Sequence, residues 1–238
     1  AFYIIASQVW YTLTFNSAIK DADRIYIISP NFGNDPNDIS WSTNSPGMAA
    51  YDAIAKTPEV EAAFSISPGQ LPIRIWVKRN DLDYDKYTEE IKRATPNTPE
   101  VAGFKCIAGD FSKLKEPNTV IMAESTAELM GLGIGDNIYH EGGHWFNDGK
   151  PAHELTVVAI YEDMPKNCLF GSWKIIRGDE GVYTTENNNW NYCTFVRLRE
   201  GADTKNFIHN FQDSYAQWFL GMVEEWIIDD PEEEEWVK

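Results

Sequence analysis

Two histidines and a glutamate stand together in the run His140-Glu141-Gly142-Gly143-His144. Those types at that spacing match the H-E-x-x-H pattern of zinc peptidases. The chemistry needs a helix, where the imidazoles lie one turn apart on one face and the glutamate polarises a zinc-bound water. The local sequence opposes that helix. Two adjacent glycines cost it about 2 kcal/mol relative to alanine. The flanks, residues 136–139 and 154–161, read as strands, so the motif reads as a hairpin tip with His153 and Asp148 as the nearest further donors. A zinc-dependent hydrolase using His140, Glu141 and His144 is therefore an alternative function and not the principal one.

Other chemistries find less support. Asp81, Asp83 and Asp85 alternate as calcium ligands do. An EF-hand loop begun at Asp81 would need glycine and glutamate where Lys86 and Lys92 stand. No G-x-S-x-G elbow is present, so a hydrolase serine has no support. The glycines at 131, 133 and 135 follow a helix, whereas a phosphate loop follows a strand. With 37 acids in the chain, a carboxylate pair suited to glycoside hydrolysis can always be found and decides nothing. Nine Trp and eleven Tyr with Asn-rich loops keep a glycan-binding module as a second alternative, one that requires coplanar exposed rings in one groove. No residue is assigned a catalytic, cofactor-binding or metal-ligating role, and no cofactor is expected.

The elements around the motif are more informative. Residues 119–122 form a β-prone run. Ser125 with Glu128 three positions on has the form of a capping box, and Gly131 and Gly133 stop the helix it would start. Gly135-Asp136 is a turn leading into the strands read at 136–139 and 154–161. Upstream, Phe2, Ile5, Val9 and Leu13 recur at helical spacing, predicting an amphipathic helix over 2–18. A strand at 24–29, a helix begun at Ser45-Pro46 and strands at 60–67 and 72–78 give a βαββ order. The charged stretch 80–98 predicts a solvated helix near 85–94, and residues 100–109 predict one strand. Beyond Pro165 the chain reads as irregular up to a strand at 190–199. Asp203 then caps a helix whose inner face carries Phe207, Ile208, Phe211, Tyr215, Trp218, Phe219 and Met222.

At 238 residues and 43% hydrophobic content the chain can bury a sizeable core and is not disordered. A net charge of −17 argues against nucleic-acid backbone and anionic lipid as partners, since both call for clustered Lys and Arg. No run of 18 apolar residues, signal peptide or initiator Met is present, so the sequence reads as an excised fragment. Cys106, Cys168 and Cys193 are too few and odd in number for a disulfide framework, although any two could bridge.

The order of parts carries a resemblance. Residues 116–131, 134–139 and 156–167, together with Asp21–Tyr26, Thr57–Glu61 and the strand from Trp190 to Ala202, resemble in sequence the extracytoplasmic core domain of ABC-transporter permeases of the MacB/FtsX type. The resemblance spans the chain from its start to about residue 212.

It implies an α+β fold in two subdomains. Residues 1–99 and 187–238 would form a ferredoxin-like (βαβ) membrane-proximal layer from both chain ends, and residues 100–186 an inserted mixed α/β subdomain. The implied function is non-catalytic: coupling cytoplasmic ATP hydrolysis to export, lipoprotein handling or partner activation outside the membrane. The implied partners are an ATP-binding subunit or domain reached through membrane helices, a second permease copy or half, and a periplasmic adaptor, lipoprotein or peptide. The implied location is the periplasmic face of the inner membrane of a Gram-negative bacterium. Both ends of the chain should then emerge on the same side, as a loop between two membrane helices requires.

The motif reading is open to test. Chelator-washed protein is expected to carry no stoichiometric zinc by elemental analysis; tightly held zinc that His144→Ala removes would establish the hydrolase alternative.

Overall fold

The computed structural model describes residues 10–28, 54–67, 72–80, 83–140, 153–178, 193–214 and 217. The chain divides into two units, one of residues 1–23 and 66–182, the other of residues 24–65 and 183–238. The architecture is mixed α/β, built on mixed parallel and antiparallel strands with few helices.

The strands are β1 (Ile25–Ile28), β2 (Val60–Ile66), β3 (Ile73–Asn80), β4 (Asp83–Glu89), β5 (Ile91–Ala94), β6 (Cys106–Gly109), β7 (Thr119–Ala123), β8 (Asn137–His140), β9 (His153–Tyr161), β10 (Ile175–Gly178) and β11 (Cys193–Leu198). The short helices are α1 (Thr98–Ala102) and α2 (Glu124–Met130). In the first unit the order is β5-β10-β7-β9-β8-β3-β4. Its middle is β7, whose five residues Thr-Val-Ile-Met-Ala are all buried. A strand buried on both faces carries no polar alternation, which is why this run reads as continuously apolar. β7 runs parallel to β9 and antiparallel to β10. The nine residues of β9 serve three neighbours: β7 along one edge, and β8 then β6 along the other. Gly109 makes the last of these pairings, because a Cβ there would lie 2.2 Å from the Val158 carbonyl oxygen.

The core of this unit joins Ile75 and Val77 of β3, Val120 and Met122 of β7, Ala127 and Met130 of α2, and Leu155 and Val157 of β9. An aromatic group formed by Phe104, Tyr161, Phe170 and Trp173 lies in the same unit, with the Tyr161 hydroxyl donating to the Trp173 carbonyl at 2.8 Å. In the second unit β1 pairs antiparallel with β11, which neighbours β2. The Phe64 and Phe195 rings stack there at 4.8 Å. Ile54, Val60, Ala63, Val196, Leu198 and Phe207 form a core cluster of the same unit, the last from the helical residues 204–214.

Several sequence expectations are corrected. The charged stretch predicted as a helix over 85–94 is two strands, β4 and β5. β4 is terminal in its unit's strand order, where charged side chains suit a strand edge. Residues 100–109 are not one strand: Pro99 in the first turn and Gly103 in the left-handed conformation bracket α1, and only Cys106–Gly109 is extended. The span after Pro165 includes β10, a four-residue strand too short to show a period. Within the helix predicted over 2–18, residues 10–13 are helical and turns begin at 14; residues 1–9 lie outside the described residues. Leu13 is 77% exposed and faces no core. Ile208 is exposed while Phe207 is buried, and Tyr215, Trp218, Phe219 and Met222 lie outside the described residues. So do the helix start at Ser45-Pro46 and both chain ends.

Strand and helix spacing in the sequence predicts that Val120, Met122, Leu129, Val157, Ala159, Phe195 and Leu198 face inward; all are buried except Leu129, which is 65% exposed. Phe195→Ala is accordingly expected to cost about 3–5 kcal/mol in urea unfolding, and Leu129→Ala to stay within about 0.5 kcal/mol.

Candidate functional site

His140 is the last residue of β8. It stands opposite His153, the first residue of β9, with ring centroids 5.1 Å apart and planes 25° apart. Glu141, Gly142, Gly143 and His144 lie outside the described residues, as does Asp148. The first histidine of the H-E-x-x-H run is thus a strand residue, and the helix that zinc-peptidase chemistry requires does not begin there. The hydrolase alternative loses its footing on that point. Among the described residues no group of three His, Cys, Asp or Glu is placed to hold a metal.

The opposite face of the same strands is polar. Asn137 Nδ2 and the Tyr139 hydroxyl both donate to Glu154 Oε1. Tyr139 meets Tyr84 edge to face at 84°, so these rings offer no shared flat platform for a sugar. Beside them is a recess of about 270 Å³ lined by Lys78, Arg79, Gly131 and Asp136. Arg79 is engaged as a strut. Its Nε donates to Asp85 at 2.6 Å, and its Nη2 donates to the Met130 carbonyl at 2.7 Å and the Tyr87 hydroxyl at 3.2 Å. A guanidinium on the last carbonyls of α2 complements that end of the helix. Asp85, considered as a calcium ligand from sequence, is spent on this contact.

Two side-chain fastenings in the first unit went unseen in the sequence. The first is at Asp163, just past β9. Its carboxylate accepts from the backbone N–H and the hydroxyl of Ser125, each at 2.7 Å, and from Lys174. Ser125 therefore does not form a capping box with Glu128. The N-cap lies two residues earlier, at Ala123, and the first turn is satisfied by a carboxylate from elsewhere in the chain. Burial opposes the charge on Asp163, but the bonds from Lys174 and Ser125 outweigh it and hold the carboxyl below its ordinary pKa.

The second fastening holds the N-terminal segment. Thr14 closes the helical residues 10–13, its N–H and hydroxyl both donating to the Trp10 carbonyl. Asn16 then turns the chain with a φ of 62°, a left-handed conformation that asparagine tolerates. Its N–H donates to the Asn167 carbonyl at 2.9 Å, and its Oδ1 accepts from the Leu169 N–H at 2.8 Å. Asn167 reciprocates, donating from Nδ2 to the Thr14 carbonyl and hydroxyl. The loop that carries Asn167 is anchored by Phe170 and Trp173 in the aromatic group. Trp10 and Leu13, on the helical side of the clamp, are 69% and 77% exposed. No disulfide joins any two of Cys106, Cys168 and Cys193.

No helix among the described residues is long and apolar enough to cross a membrane. A family model described as the MacB-like periplasmic core domain matches residues 4–213. Two solved structures share the fold. A domain from Porphyromonas gingivalis assigned to a permease protein is 22% identical, with a TM-score of 0.59 over 78% of this chain and 79% of that one. The periplasmic region of MacB from Actinobacillus actinomycetemcomitans is 12% identical, with a TM-score of 0.55 over 83% of this chain and 84% of that one. No curated protein matches the chain.

The Asp163 junction gives a pH-dependent expectation. A carboxyl whose folded pKa lies below its unfolded value adds stability above the unfolded value, and that stability is lost as pH falls through the folded one. Asp163→Asn is therefore expected to cost about 1–2 kcal/mol at pH 7, as lost hydrogen bonds to a charged group do. The gap from wild type should shrink below about pH 4, where carboxyls protonate. Urea unfolding at pH 7 and pH 3 checks this; an equal gap at both would contradict it.

Proposed function

The chain belongs to the MacB-like periplasmic core domain family, and from that premise we propose that it is the non-catalytic domain through which an ABC permease does work outside the membrane. In this reading ATP is hydrolysed on the cytoplasmic side by an ATP-binding subunit or domain. The movement reaches this domain through membrane helices, beside a second permease copy or half. Its output is export, lipoprotein handling or activation of a partner, with a periplasmic adaptor, lipoprotein or peptide as the species acted on. The setting is the periplasmic face of the inner membrane of a Gram-negative bacterium. Residues 1–99 and 187–238 serve as the ferredoxin-like, membrane-proximal layer, and residues 100–186 as the inserted subdomain.

The observation that carries the reading is the clamp between residues 14–16 and 167–169, with Asn16 bonded to Asn167 and Leu169, and Asn167 to Thr14. A domain that receives force along its N-terminal segment must grip that segment, or the segment swivels and the force is lost. Exposed Trp10 and Leu13 by themselves would offer no grip. The clamp supplies it with backbone and side-chain bonds at one turn, backed by packed aromatic rings.

The test uses the full permease with its ATPase in nanodiscs. A spin label is placed at exposed Leu129 through Leu129→Cys, in a background where the native cysteines are replaced. Addition of ATP is expected to change the label-to-label distance between permease copies or halves. Asn167→Ala is expected to reduce that change severalfold while ATP hydrolysis continues. A distance that does not respond to ATP, or responds equally in the variant, would overturn the proposal.

A further inference from the structure

We infer that His140 and His153 form a two-histidine site for a divalent late-transition metal ion, with Zn(II) or Cu(II) as the fitting class. The two residues are direct partners across β8 and β9, so their side chains leave the same face of the sheet. Tyr139 and Glu154, one residue along each strand, engage each other and belong to the other face. His140 has Ile75 of β3 as its neighbour on the far side, which leaves His153 as the cross-strand donor beside it. His140 is 9% exposed and His153 is exposed, so one ring is held by packing and the other is open to solvent.

The spacing suits coordination. A zinc–nitrogen bond of about 2.0–2.1 Å places a ligating imidazole centre about 3.2 Å from the metal, and two such rings at a tetrahedral angle then lie about 5.2 Å apart. The observed centroid separation is 5.1 Å. The near-parallel planes do not oppose this. Rotation about the Cβ–Cγ bond, a soft torsion in histidine, swings the ring nitrogens while the ring centre hardly moves. Imidazole is a donor of choice for Zn(II) and Cu(II). Two imidazoles with water completing the shell make an exchangeable site, unlike a closed structural centre. The acidic chain, at −17, raises the local concentration of any cation. Bound metal would staple the ends of β8 and β9, at the root of residues 141–152.

This inference is independent of the transporter reading and differs from the H-E-x-x-H reading, which pairs His140 with His144. The experiment titrates the purified domain with ZnCl₂ alone at pH 7.5, by calorimetry and by the NMR signals of the imidazole rings. One zinc per chain is expected, with the His140 and His153 rings shifting together. His153→Asn, at an exposed position, is expected to weaken binding by about tenfold or more with an unchanged circular dichroism spectrum. His144→Ala should leave affinity within about twofold. No zinc binding, binding that survives His153→Asn, or binding that His144→Ala abolishes as fully would each overturn the inference.

Discussion

Strand β7 is buried along its whole length, so every one of its backbone N–H and C=O groups must find a protein partner. That requirement organises the first unit. β10 satisfies one edge and β9 the other, the second in parallel register. A parallel neighbour needs a crossover, and the chain from the end of β7 to the start of β9 supplies it with α2 and β8. β9 is longer than β7, and its other edge carries β8 and β6. Core residues from β3, β7, α2 and β9 meet on one side of this arrangement because the crossover returns α2 over the sheet it left.

Side chains fasten what the sheet leaves loose. Asp163 closes the first turn of α2 and ties it to Lys174 just before β10. Arg79 closes the last turn of the same helix against β4. A helix of only seven residues is marginal by itself, and both its ends are held by charged groups distant in sequence. The Asn16–Asn167 clamp does for the N-terminal segment what these do for α2. Each is a polar contact between segments that the strand ladder does not join. For a domain of the MacB-like periplasmic core type, that third fastening is where structure meets the proposed role.

The legible parts of the sequence were those whose signals are local. β7, the stop at Gly131 and the strands flanking the His140 run follow from short-range pattern: an apolar run, a left-handed C-cap and a β-prone stretch. The resemblance to MacB/FtsX-type domains rested on the order of those same parts. What failed had either too little length or a distant partner. β10 spans only Ile175–Gly178, and β5 only Ile91–Ala94, below the length at which a period shows. The charges of 83–89 concealed an edge strand because an edge tolerates them. Ser125 looked like one half of a capping box, since nothing local reveals that Asp163 takes its hydroxyl. Asn16 carries no sequence signal, and Asn167 stands only as the last residue of the matched stretch 156–167, with nothing to show its partner. His153 stood out near the motif, yet only the strand register sets it against His140.

The central claim is that the N-terminal segment is an integral part of the first unit, gripped at Asn16. Amide hydrogen exchange on the wild-type domain reads this most directly, because the Asn16 N–H is itself one of the clamp's donors. The account predicts that Asn16 and Leu169 exchange at similar rates, each slowed by about 100-fold or more relative to an unstructured amide. An Asn16 amide exchanging at the unstructured rate, while Met122 in β7 stays protected, would contradict it.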